Sequence, residues 1–275
     1  MAYWGKVVGV ALGFMAGKWV GAILGLIVGH MFDKGYSQDF SQMGGFGRFF
    51  TDKDNFKQQA IFFHTLFATL GHLAKADGAV TQSEIAVASR LMDEMGLSGE
   101  TREAAQAAFR EGKAADYPIQ ATITEFVDSC HGRRDIIQIV LEILIQACFS
   151  DGQLSQAEYN VLVKVAKAAG FRRQELDYLI RMYEAEVRFR QAGPRQNRSQ
   201  SYNEQQRSAD AYQILGVAPN ADHATIKKAY RKLMSAHHPD KLMSKGLPEQ
   251  AMQVAKQKAQ DIQQAYEYIK ESRGF

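Results

Sequence analysis

Three consecutive residues, His238-Pro239-Asp240, place an imidazole, a ring that fixes its own φ, and a carboxylate side by side. Pro239 locks its φ at about −65° and biases His238 toward an extended backbone, so the tripeptide is preorganised. Asp240 can then offer its carboxylate to a guanidinium on another molecule, a bidentate pairing that carries geometry as well as charge. Upstream, Lys227, Lys228, Arg231 and Lys232 follow at i, i+1, i+4 and i+5, on one face of a helix. Alone, these cations would read as a solvated helix face. Were such a face to meet an acidic partner, it would raise the encounter rate and make binding salt-sensitive. This is the chemistry of recognition rather than of bond-breaking. No Ser-His-Asp order, P-loop or HExxH occurs in the chain, and His64, His72 and His131 have no catalytic spacing. Neither an enzyme nor a cofactor is expected.

The elements that must hold this tripeptide are legible around it. Tyr212 to Val217 reads as the end of a short first helix stopped at Gly216, and Pro219-Asn-Ala-Asp222 as a turn. Asp222 is a natural N-cap for a second helix reaching Ala236, with Ile226, Ala229, Tyr230 and Leu233 as its apolar face. A loop containing Gly246 leads to a third helix over 248–270, packed through Ile262, Ala265, Tyr266 and Ile269. The expectation is an antiparallel helical hairpin with the tripeptide at its tip.

The order YxxLGV, basic helix, HPD, DIQQAYEYI resembles the J-domain of DnaJ-type co-chaperones. That resemblance implies stimulation of ATP hydrolysis by a DnaK-type 70-kDa heat-shock chaperone. On it, His238, Pro239 and Asp240 are the trigger, and Lys227, Lys228, Arg231 and Lys232 dock an acidic surface of DnaK. No CxxCxGxG zinc repeat and no Gly/Phe-rich stretch follows, and little of the usual fourth helix remains. Independent holding of unfolded clients is therefore not expected.

Residues 56–188 are patterned at helical periodicity, with Pro118 as the one proline. An internal repeat at an offset of 74 aligns Asp77-Gly78…Thr81…Glu84 with Asp151-Gly152…Ser155…Glu158, and continues with Leu70/Leu144, Leu91/Val165, Gly96/Gly170 and Leu97/Phe171. Each copy reads as a helix ended by Asp-Gly, a capping box from Thr81 or Ser155 to the Glu three residues on, and a second helix stopped by glycine. The paired carboxylates Asp77/Glu84 and Asp151/Glu158 also raise a metal, but the further oxygen ligands of an EF-hand are missing, so capping is the better explanation. This stretch resembles the TerB-like domain of tellurite-resistance and envelope-linked proteins, a resemblance that leaves its ligand unknown.

From Val7 to Gly29, 23 residues carry the single charge of Lys18. At about 1.5 Å per residue such a helix is roughly 34 Å long, enough to cross a hydrocarbon core of about 30 Å. Its eleven Val, Leu, Ile and Phe residues contribute roughly −5 kcal/mol against about +3 for a central lysine, so insertion is expected by a narrow margin. Glycines at 5, 9, 13, 17, 21, 25 and 29 form an unbroken four-residue repeat. Small residues on one ridge let two helices approach closely, so Gly9, Gly13, Gly17, Gly21 and Gly25 are expected to mediate a homodimer. Only Lys6 precedes the span, whereas Lys34, Arg48, Lys53 and Lys57 follow it, which places the C-terminal side in the cytoplasm.

The rest of the composition is consistent with this. The two cysteines, Cys130 and Cys148, fit a reducing compartment, and a net charge of +3 over 275 residues gives no case for nucleic acid. The expectation is an all-α protein: a transmembrane segment over 1–32, a connector over 33–55, a duplicated TerB-like bundle over 56–188, a flexible linker over 189–209 and a J-domain hairpin over 210–275. The layout resembles the membrane-anchored DnaJ-type co-chaperones of bacteria. That resemblance implies an inner-membrane protein with a periplasmic N-terminus, a dimer through its span, and a role in inducing capsule polysaccharide through an envelope phosphorelay. The rival expectation is a membrane adaptor whose TerB-like domain senses a metal or protein signal, with the J-domain secondary.

Overall fold

The structure, a computed structural model, describes residues 53–78, 81–150, 152–191 and 204–275. The apolar segment with its glycine repeat and Lys18, and also Asp151, lie outside the described residues, among which no helix is long and apolar enough to cross a membrane. The described residues are all-α, without a strand.

Both copies of the repeat fold by the same local chemistry. Helix α1 (Lys53–Ala74) is followed by Gly78 at φ 110°, and α5 (Arg134–Cys148) by Gly152 at φ 96°. Helix α2 (Gln82–Glu94) opens on a complete capping box: the Thr81 N–H donates to Glu84 Oε2 at 2.6 Å and the Glu84 N–H returns to Thr81 Oγ1 at 3.3 Å. Helix α6 (Gln156–Ala168) repeats it, with 2.9 Å from the Ser155 N–H to Glu158 Oε2 and 3.2 Å from the Glu158 N–H to Ser155 Oγ. Both second helices end in Schellman turns. Gly96 and Gly170 stand at positive φ, and the Leu97 and Phe171 N–H groups reach back to the Met92 and Ala166 carbonyls at 2.9 and 2.8 Å.

Between the copies lie α3 (Gly99–Gly112) and α4 (Ile119–Ser129). Helix α3 crosses α1 at backbone contact: a Cβ on Gly112 would stand 1.8 Å from the Ala68 carbonyl oxygen, and one on Gly71 2.1 Å from that of Phe109. Helix α5 runs through the centre, with Ile139, Leu141, Ile143, Leu144 and Ile145 almost wholly buried. The bundle closes with α7 (Arg173–Gln191).

The C-terminal part comprises α8 (Glu204–Leu215), α9 (His223–His237), the six-residue α10 (Pro239–Ser244), a 3-10 turn (Glu249–Ala251) and α11 (Met252–Arg273). Asp222 caps α9 by accepting the Thr225 N–H at 2.8 Å. Ile226, Ile262, Ala265 and Ile269 are fully buried between the antiparallel helices, and Tyr230 stacks on Tyr266 at 4.1 Å.

Three features depart from the sequence reading. Helix α7 runs to Gln191 and α8 begins at Glu204, so helix enters the 189–209 linker at both ends. Arg188 holds the buried Asp210 through Nη2 at 2.8 Å and Nε at 3.2 Å, and the Arg207 guanidinium lies over the Phe189 and Tyr268 rings. These residues pack through charge pairs and an arginine plane, which leaves no apolar stripe to read. The second departure is that residues 57–275 form one compact unit. Ala185 and Phe189 of α7 complete the core of the C-terminal hairpin, while Leu242, Leu247, Ala251, Met252 and Ala255 insert into the core of the repeat domain. The third helix begins at Met252 rather than at residue 248, because the 3-10 turn precedes it.

Candidate functional site

The tripeptide sits where α9 hands over to α10. His238, at φ −68° and ψ 122°, ends the first helix and caps the second, and Pro239 occupies the first helical position, where its missing N–H costs nothing. The Asp240 N–H donates to His238 Nδ1 at 3.2 Å. In the neutral ring that leaves the proton on Nε2, available as a donor to another molecule. Asp240 lies in the first turn of α10, where a carboxylate is favoured by the unpaired N–H groups. His238 and Asp240 are exposed and Pro239 is half-buried. Behind them Leu242 is fully buried, so a helix too short to persist alone is pinned by its apolar side.

Lys227, Lys228, Arg231 and Lys232 are all exposed on α9, one face of the hairpin, leading toward the tip. None has an ion-pair partner among the described residues. The four cations on α9 and the exposed imidazole and carboxylate at the tip leave a charged, polar surface open to another molecule. The seven residues that the sequence singles out in this part of the chain lie along α9, at the α9–α10 junction and in the first turn of α10.

Two of the repeat's carboxylates cap its helices. Glu84 and Glu158 are committed to capping boxes, and Asp77 is exposed. Among the described residues no group of three or more side chains is placed to hold a metal ion. His64 pairs with Glu111 at 3.0 Å on the surface, His131 is an exposed turn residue, and His72 packs against Tyr117 with its pKa lowered by burial.

The sequence reading missed a second set of residues. Where the hairpin meets the repeat domain, four charged side chains are buried: His237 of α9 and Lys258 of α11 from one side, Glu142 of α5 and Glu186 of α7 from the other. His237 Nε2 lies 3.2 Å from both Glu142 oxygens, and Lys258 Nζ donates to Glu186 at 2.9 Å. Burial alone would raise the Glu142 carboxyl, but the His237 and Lys258 charges and its hydrogen bonds bring it down to about 2. Burial likewise pulls the His237 imidazole down, and the Glu142 carboxylate more than reverses this, leaving it above its ordinary value. A signal existed for one of the four: Glu142 is a single acid inside the apolar run 136–148.

A helical hairpin with an accessible HPD tip beside a basic helix face defines a J-domain co-chaperone. Comparison with known families agrees along the chain: residues 210–273 match the DnaJ domain, 64–180 the tellurite resistance protein TerB, and 1–39 the co-chaperone DjlA transmembrane domain. The co-chaperone protein DjlA of Escherichia coli K12 is 46% identical over 279 residues, covering 100% of both chains. That of Salmonella typhimurium LT2 is 47% identical over the same full coverage, and that of Photobacterium profundum 45% identical over 99% of both. No solved structure matches. The chain belongs to the DjlA family of membrane-anchored co-chaperones.

Proposed function

We propose that this protein brings a DnaK-type 70-kDa chaperone to the membrane and stimulates its ATPase through the His238-Pro239-Asp240 tip. The observation that carries this reading is that the tip and the four cations stay uncovered although the same hairpin is otherwise packed into a second domain. Lys227, Lys228, Arg231 and Lys232 steer an acidic surface of the partner, and Asp240 pairs with an arginine there. His238 supplies a directional Nε2–H donor. The role is that of a regulator: the reacting phosphates belong to the partner.

The flanking charges favour a periplasmic N-terminus and cytoplasmic C-terminal domains in the inner membrane, and the glycine repeat favours a dimer through Gly9, Gly13, Gly17, Gly21 and Gly25. By the family resemblance, the downstream process is induction of capsule polysaccharide through an envelope phosphorelay.

Flotation with proteoliposomes tests the recruitment. Vesicles carrying the full chain should float a DnaK-type chaperone in the presence of ATP, and vesicles carrying Asp240→Asn should not. Equal flotation by both would overturn the assignment. In cells, a capsule response that survives His238→Gln would favour the rival reading, an adaptor acting through its TerB-like domain.

A further inference from the structure

The HPD tip is bracketed by two anchors in the repeat domain. Immediately before it, His237 is 1% exposed and bound to Glu142 of α5. Immediately after it, Leu242 and Leu247 insert into the repeat-domain core, Arg133 donates from Nη1 to the Lys245 carbonyl at 2.5 Å, and Lys245 pairs with Asp135. The exposed tip is the bridge between these anchors.

The hydrogen bonds also fix the state of His237. Its Nδ1 faces the Leu233 carbonyl oxygen at 3.0 Å, and its Nε2 faces the Glu142 carboxylate. The Leu233 carbonyl can only accept, and with the Glu142 carboxyl held ionised by its neighbours both ring nitrogens donate, which makes the ring an imidazolium. Glu142 also accepts from Gln138 Nε2 at 2.8 Å. The remaining charges close the balance: Lys258 against Glu186, and Arg190 facing Asp261 at 3.8 Å, with Tyr178 and Tyr183 nearby, their pKa values raised by burial. With His237 charged, the buried cluster of Glu142, Glu186, His237 and Lys258 is neutral. Without that proton, or without the Glu142 carboxylate, one charge stands uncompensated among buried side chains, which is costly.

We propose that Glu142 is a positioning residue for the HPD tip: through His237, the repeat domain holds the tip in the shape that the 70-kDa chaperone recognises. The part of this inference that concerns chaperone stimulation rests on the proposed function; the clamp itself does not. The clamp also makes the tip sensitive to pH. Because the folded pKa of His237 lies above its ordinary 6.5, the anchor is fully formed below that value and is lost as pH rises through the folded pKa.

The test uses the full chain in lipid nanodiscs, with amide exchange over residues 238–247 and stimulation of a DnaK-type ATPase both measured from pH 6 to 9. Wherever wild type loses tip protection as pH rises, it should lose stimulation over the same pH interval. Glu142→Gln, checked for helix content, should exchange at least about tenfold faster at the tip, stimulate less, and show no pH dependence, as expected for loss of a hydrogen bond to a charged group. The apolar pair Glu142→Leu with His237→Phe keeps the seam neutral, and should restore protection and stimulation with a flat pH profile. Glu142→Gln with wild-type exchange and stimulation would overturn the proposal, as would failure of the apolar pair to restore them. A wild-type chain that shows the exchange pattern but never stimulates would instead overturn the proposed function and leave the clamp standing.

Discussion

Leu242→Ala perturbs the tip without touching its exposed groups. Helix α10 has six residues, and its one fully buried side chain, Leu242, packs against the repeat-domain core. Truncating a buried leucine to alanine removes three heavy atoms and leaves a void, a loss of about 3 kcal/mol within a usual range of about 2–5. At about 1.4 kcal/mol per factor of ten, that is roughly a 150-fold increase in opening. The neighbouring Met243 is 53% exposed, so Met243→Ala removes a side chain of similar size at almost no cost and is the control. Native-state amide exchange reads the difference at Leu242, Lys245 and Leu247, whose N–H groups close the turns of α10. The expected outcome is a hundredfold or greater fall in protection for Leu242→Ala and a change of no more than a few-fold for Met243→Ala. Similar values for the two variants would refute the claim that burial against the repeat domain shapes the tip. The same variant should raise the co-chaperone concentration needed for half-maximal ATPase stimulation, because a loosened tip must be reordered on binding.

Three other outcomes are expected. Gly112→Ala places a methyl 1.8 Å from the Ala68 carbonyl and forces α1 and α3 apart, so thermal unfolding should occur several degrees lower, in line with overpacking costs of about 1–3 kcal/mol. Reversing Lys227 and Lys228 to glutamate should slow association with the 70-kDa chaperone without altering helix content, and should flatten the salt dependence shown by wild type. Replacing Gly13, Gly17 and Gly21 by leucine should weaken self-association in a membrane dimerisation assay; an unchanged signal would count against the glycine ridge.

What could be read in advance was local. Capping boxes at Thr81 and Ser155 and the stops at Gly96 and Gly170 depend on a few adjacent residues, and the structure builds them at those positions. The HPD tip was equally legible because its chemistry is contiguous. Even α10 carries a signal, a proline at its first position, although a proline there suits a loop equally well. The seam was not legible. Its partners are separated by 95 residues for His237 and Glu142 and by 72 for Lys258 and Glu186, and a charged side chain carries no mark in the sequence that says it will be buried. Helix in the linker stretch was hidden for a related reason, since Arg188, Asp210 and Arg207 do the packing that an apolar stripe does elsewhere.

The most direct measurement is single-turnover ATP hydrolysis by a DnaK-type chaperone with the full chain in lipid at low salt. Wild type should accelerate hydrolysis with saturable concentration dependence, and His238→Gln, equally folded, should not accelerate it at any concentration. Equal acceleration by both proteins, or none by wild type in excess, would contradict the account.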